Sequence, residues 1–89
     1  MLRIKISRDA EKTLRRVPPK HGRQIARRID ALRLDPEAAD TRQLTGYLFR
    51  RADIGEYRIV YAVAGEVLYV EVVGKRNDND VYRRLKRKL

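Results

Sequence analysis

The sequence predicts an α+β fold: an N-terminal strand, a helical hairpin, then an antiparallel sheet closed by a short C-terminal helix. Three observations carry that expectation. Apolar residues recur with a period of two in the first six positions, with helical spacing from residue 10 to 32, and with a period of two again between residues 57 and 73. Two proline sites, Pro18-Pro19 and Asp35-Pro36, punctuate the helical stretch. A chain of 89 residues is long enough for one hydrophobic core and too short for a second, so residues 1–89 are read as a single domain.

Each element has a local reason. Leu2, Ile4 and Ile6 alternate with Arg3 and Lys5, the pattern of a strand with one buried face. Ser7 stands at the N-cap position of a first helix, Asp9 and Glu11 suit its dipole, and Ala10, Leu14 and Val17 form its apolar stripe. Pro18-Pro19 ends that helix and opens the next, because proline is tolerated in a first turn. Ile25, Ile29 and Leu32, with Ala26, give the second helix its stripe, and Asp35-Pro36 closes it. Residues 37–45 are polar and end at Gly46, so they read as a connection with Leu44 the candidate to tuck inward. Residues 47–52 read as a strand, 53–56 as a turn, and 57–64 as a strand with Tyr57, Ile59, Tyr61 and Val63 on one face. After the Gly65-Glu66 hairpin, residues 67–73 are the most β-prone run and the expected central strand. Their alternation sets Val67, Tyr69, Glu71 and Val73 against Leu68, Val70 and Val72, and Gly74 is expected to end the run. Val81, Leu85 and Leu89 at fourfold spacing predict a terminal helix over 80–89.

Composition narrows function. The 22 basic residues outnumber 12 acidic ones, for a net charge of +10 and a pI near 10.5. Sixteen of the 22 are arginine, whose planar fork binds phosphate or carboxylate pairwise and stacks on bases. That bias points to nucleic acid or to an acidic protein partner, the plain alternative being a solvated basic surface. With no cysteine, a disulfide scaffold, a thiolate zinc site and a cysteine nucleophile are excluded, and a single histidine, His21, cannot form an all-histidine metal cluster. No metal or cofactor is expected. No apolar run approaches the roughly 20 residues of a membrane span, and no apolar signal core follows Met1, so a cytoplasmic protein without a membrane partner is expected.

The candidate chemistry lies in three basic clusters: Arg50-Arg51, Arg58 and Lys75-Arg76. Hairpin geometry can gather Arg51, Arg58 and Arg76 on one face of the sheet; only one of Arg50 and Arg51 can share it, because consecutive strand residues face opposite ways. Arg58 sits among Tyr57, Ile59, Val60 and Tyr61, where a desolvated cation must meet either a ligand phosphate or an internal carboxylate, Asp53, Glu56 or Glu71. His21 titrates near neutrality, but its place at a helix start far from these arginines reads as a surface or capping position. Tyr57, Tyr61 and Tyr69 read as sheet packing.

These residues carry a resemblance. Leu44-Thr45-Gly46, Phe49-Arg50-Arg51, the run Ile54-Gly-Glu-Tyr-Arg58-Ile-Val-Tyr61, Val73-Gly-Lys-Arg76 and Asp80-Val-Tyr82 together resemble the RelE/ParE superfamily of toxins from type II toxin–antitoxin systems, and within it the RelE branch. The resemblance covers nearly the whole chain and implies the microbial-RNase-like fold. It further implies a ribosome-dependent endoribonuclease, an mRNA interferase that cleaves mRNA in the ribosomal A site through the RNA's own 2′-hydroxyl and is held off by a cognate antitoxin; a ParE-like inhibitor of DNA gyrase without nuclease activity is the alternative. By matching motif, Arg58 and Arg76 would stabilise the phosphate, and Tyr82 would stack on or orient the substrate base, with a role in proton transfer left open. Well-studied members place two lysines one residue apart on the strand before the hairpin. Here a gapless count back from Arg58 puts Phe49 and Arg51 at those positions, and no lysine lies between Lys20 and Lys75. Arg51 can still bind phosphate but is a poor proton acceptor, which leaves the general base without a candidate. Phe49 offers either a stacking face or core packing. Arg50, Lys75, Arg83, Arg84, Lys86 and Arg87 complete the expected RNA-binding set, attracting mRNA and rRNA phosphates.

Overall fold

A computed structural model describes residues 1–46, 48–77 and 79–88. The elements run β1 (Arg3–Ile6), α1 (Arg8–Arg16), α2 (Pro19–Leu34), β2 (Arg42–Gln43), β3 (Arg50–Ile54), β4 (Tyr57–Ala64), β5 (Val67–Lys75) and α3 (Asp80–Lys88). Tyr47, the expected start of the second expected strand, and Leu89, the last expected apolar position of the terminal helix, lie outside the described residues; among those described, that strand begins at Arg50 and not before.

Local signals set the first half as expected. The Ser7 hydroxyl accepts the Ala10 N–H at 3.1 Å, satisfying one of the donors a helix start leaves free. Pro19 opens α2, whose C-cap Asp35 precedes Pro36. Ile25, Ile29 and Leu32 are buried, whereas Ala26 lies exposed, about 100° round the helix from Ile25.

The five strands form one sheet in the order β1-β5-β4-β3-β2. The chain from β2 to β5 is antiparallel as expected, but β1 joins the edge parallel to β5, with Arg3 opposite Val67, so the sheet as a whole is mixed. The central strand is β4, not β5, because the N-terminal strand adds on one side of β5 while β3 and β2 stack on the far side of β4. β2 itself is a two-residue pairing within the stretch expected to be loop.

Both hairpins turn on two residues, Gly55-Glu56 and Gly65-Glu66, each glycine at positive φ (55° and 58°) where a side chain would be strained. The first turn is therefore shorter than the expected 53–56, and Asp53 and Ile54 belong to β3. A second difference is in β5. Across a register shift, Val60 faces Val72 but Tyr61 faces Val70, so Glu71 has no partner on β4. This bulge inserts one residue and flips the phase of the alternation: Leu68, Val70 and Val73 share a face, and Val72 points the other way.

The two faces carry unequal cores. On one, α1 and α2 cover Ala52, Tyr57, Ile59, Tyr61, Leu68, Val70 and Val73. On the other, Val81 and Leu85 of α3 pack on Val60 and Val72, flanked by Leu44, Phe49 and Tyr82. Two buried aliphatic side chains are a small anchor for a nine-residue helix. Polar contacts supplement it. Arg84 hydrogen-bonds Asp9, Thr13 Oγ1 (3.0 Å), Asp80 Oδ2 (2.8 Å) and the Val73 carbonyl (2.9 Å), and the Glu71 carbonyl freed by the bulge accepts from Ser7 Oγ (2.6 Å) and Lys88 Nζ (2.9 Å). Gly74 does not end β5, which continues to Lys75; it makes room for α3, since a Cβ there would lie 2.8 Å from Val81 Cγ1.

Candidate functional site

Cross-strand pairing decides which basic residues meet. Asp53 lies opposite Arg58, Arg51 opposite Val60, and Arg58 opposite Gly74, so Arg51, Asp53 and Arg58 share the face that α3 partly covers. Arg58 uses one edge of its guanidinium on Asp53, with Nε donating to Oδ1 at 2.7 Å and Nη2 to Oδ2 at 3.2 Å. Its Nη1 donates to the Tyr82 hydroxyl at 2.7 Å, and the Tyr82 ring centroid is 5.8 Å from Arg58 Cζ. Arg76, held by its N–H to the Glu56 carbonyl, brings Nη1 to 4.0 Å from Asp53 Oδ2. One carboxylate thus sits between two guanidiniums, with Arg51 near enough to act on it electrostatically.

The electrostatics follow from that grouping. The hydrogen bond from Arg58 holds the Asp53 carboxyl below the usual aspartate value against the opposing effect of burial, and the fields of Arg58, Arg51 and Arg76 add to it. Asp53 in turn raises Arg58, which is therefore a permanent cation. Arg58 is largely enclosed, at 14% side-chain exposure, whereas Arg76 is 48% exposed and open to a ligand. Among the described residues Arg51 has no ion-pair partner.

The other expected residues divide. Arg50 faces the helix-covered side, where Nη2 donates to Thr41 Oγ1 at 2.8 Å and Nη1 lies 3.8 Å from Glu37, so it is remote from Arg58. Phe49 is half-buried against the smaller core, the packing alternative of the two. Arg84 departs furthest from a free RNA-binding cation: it is turned inward onto Asp9 and Asp80 and is 14% exposed. Lys75, Arg83, Lys86 and Arg87 are exposed, Arg83 lying 3.7 Å from Asp80. Tyr57 and Tyr61 are buried in the larger core. His21 is neither a bare surface residue nor a cap: its Nδ1 lies 2.8 Å from the Tyr57 hydroxyl, in a cleft of about 420 Å³ also lined by Glu56 and Lys75. Among the described residues no group of three His, Asp or Glu side chains could hold a metal ion, and no helix is long and apolar enough to cross a membrane.

Asp53 is the member of the site that sequence reasoning placed least well. It was one of three candidate partners for Arg58 and was assigned to a turn. Its signal lay in the turn length, because a two-residue turn at Gly55-Glu56 puts Asp53 directly opposite Arg58.

The fold has counterparts among solved structures. The archaeal RelE of a RelE–RelB complex from Pyrococcus horikoshii OT3 superposes with a TM-score of 0.72 at 29% identity, covering 84% of this chain and 94% of that one. The isolated E. coli RelE toxin covers the full length of both chains at 21% identity and a TM-score of 0.76. A double-arginine variant of E. coli RelE in the free state covers 99% of this chain and 98% of that one, at 22% identity and a TM-score of 0.83. No curated protein matches the sequence significantly. Residues 4–80 match the profile of the family described as "ParE toxin of type II toxin-antitoxin system, parDE". The chain therefore belongs to the RelE/ParE superfamily of type II toxin–antitoxin toxins, by its match to the ParE toxin family, and it has a RelE-like fold.

Proposed function

We propose that this toxin is a ribosome-dependent endoribonuclease that cleaves mRNA in the ribosomal A site and so arrests translation. The observation that supports it most is the convergence of Arg58 and Arg76 on a single carboxylate, with the Tyr82 hydroxyl on the same guanidinium. A seat built for one anion by two guanidiniums is what an RNA phosphate needs as its charge rises during attack by the adjacent 2′-hydroxyl. Arg76, the open member, and Arg51 would take the phosphate oxygens, Arg58 would hold the site together and add its field, and the Tyr82 ring would orient the base. Phe49 borders the same face. Lys75, Arg83, Lys86 and Arg87 would supply sequence-independent attraction to mRNA and rRNA. A cognate antitoxin is the second partner, as the archaeal RelE similar to this chain is in a complex with RelB. On this reading the toxin acts in the cytoplasm, where translating ribosomes are, and works without a metal or cofactor.

A gyrase-inhibiting, ParE-like reading is the alternative. It is favoured by the family profile and by the missing lysine pair. Primer extension on mRNA from translating ribosomes separates the two: cuts in phase with codons are expected, whereas intact message with trapped or linearised DNA in the presence of gyrase would reject the nuclease. Arg58→Ala and Arg76→Ala are each expected to abolish growth inhibition on expression without antitoxin.

A further inference from the structure

Cleavage by a 2′-hydroxyl needs a group to take its proton, and the usual candidates are absent. No lysine lies between Lys20 and Lys75, and His21 is tied to Tyr57 on the opposite side of the sheet. Arginine is too basic to accept a proton, its pKa exceeding about 12. The only carboxylate on the arginine face of β3 and β4 among the described residues is Asp53.

We propose that Asp53 is the proton acceptor for the attacking 2′-hydroxyl, oriented by Arg58, an assignment that rests on the nuclease reading above. An ionised carboxylate offers about four lone-pair sites. Arg58 occupies two of them, and Arg76 at 4.0 Å does not close the rest. The Asp53 side chain is 33% exposed, so an oxygen remains available to an incoming hydroxyl. Arg58 holds the acceptor on one edge and the Tyr82 hydroxyl on the other, and because that hydroxyl accepts from Nη1, its own proton is free to be donated.

The step balances within these groups. Asp53 takes the proton of the 2′-hydroxyl as the 2′-oxygen bonds to phosphorus. The bond from phosphorus to the 5′-oxygen breaks, and that oxygen leaves with a proton from Tyr82. The products are a 2′,3′-cyclic phosphate and a 5′-hydroxyl, and water exchanges the proton from Asp53 back to Tyr82. The guanidiniums that make Asp53 a strong anion also make it a weak base, so its contribution falls at the lower end of general-base effects, about 100-fold.

The test is single-turnover cleavage of ribosome-bound mRNA by the purified toxin. Asp53→Asn, which keeps the shape and one acceptor for Arg58, is expected to slow cleavage about 100-fold with ribosome binding close to wild type and the protein still folded at the assay temperature. Formate added to Asp53→Ala should restore cleavage at least tenfold, whereas nitrate, an anion of similar shape and negligible basicity, should not. Asp53→Asn that cleaves as fast as wild type, or faster, overturns the assignment while leaving the nuclease reading intact; equal rescue by nitrate does the same by reducing Asp53 to a charge partner of Arg58. A wild-type protein that leaves ribosome-bound mRNA uncut overturns the nuclease reading and this assignment with it.

Discussion

Replacing Arg84 with alanine should cost this protein more stability than replacing any other cation of the C-terminal helix. The side chain carries hydrogen bonds to Asp9, Asp80, Thr13 and the Val73 carbonyl, and it joins α3 to α1 and to the edge of β5 that β1 leaves unpaired. Breaking a fully buried ion pair costs about 3–5 kcal/mol. Asp9 and Asp80 are 31% and 36% exposed, however, so water recovers part of their solvation and a loss of about 2–3 kcal/mol is expected. For a domain of this size that corresponds to a drop in Tm on the order of 10–20 °C. Thermal and urea unfolding of Arg84→Ala, Asp9→Ala and the double variant would measure it, the double variant being little worse than either single one. A Tm within about 3 °C of wild type, or a coupling below about 0.5 kcal/mol, would refute the idea that this contact secures α3. Arg87→Ala, on an exposed cation of the same helix, should unfold like wild type.

Three further outcomes follow from the same contacts. Gly74→Ala places a Cβ 2.8 Å from Val81 Cγ1 and 3.0 Å from Arg84 Nη1, so it should lift α3, cost about 1–3 kcal/mol in urea unfolding and reduce toxicity by displacing Tyr82. Arg50→Ala and Arg51→Ala, neighbours in sequence, should separate: the first lowers Tm with toxicity retained, the second removes toxicity with Tm retained, as growth and melting assays would show. Because the Asp53 carboxyl is held below its ordinary value, its contribution to stability is full above pH 4 and disappears as pH falls through its folded value; the stability difference between wild type and Asp53→Asn should therefore be level near neutrality and vanish in acid unfolding.

What could be read from the sequence was what short-range chemistry determines. Ser7, Pro18-Pro19 and Asp35-Pro36 mark helix ends through their own backbone geometry, so α1 and α2 were legible, as was the placing of Arg51 and Arg58 on one face of the sheet. The phase of β5 was not. Val67, Leu68, Val70, Val72 and Val73 are apolar on both sides of the strand, so alternation cannot reveal where one residue has been inserted, and the bulge at Glu71 is set by pairing with β4. The C-terminal cations look alike in sequence; that Arg84 and not Arg87 turns inward depends on Asp9, 75 residues away. Asp53 was hidden by a turn read two residues too long, which removed it from the strand where it faces Arg58.

The parallel pairing of β1 with β5 also orders events during synthesis. Arg3 must wait for Val67 before its strand is completed, and Asp9 must wait for Arg84. Asp53 and Arg58 emerge early, yet Arg76 and Tyr82 arrive only with the end of β5 and α3. Contacts of such long sequence separation form late and together, since loop closure has to precede them. A nascent chain therefore displays no assembled arginine site until Arg76 and Tyr82 have emerged and can reach Asp53 and Arg58. The topology itself delays the assembly of the arginine site until β5 and α3 have been made.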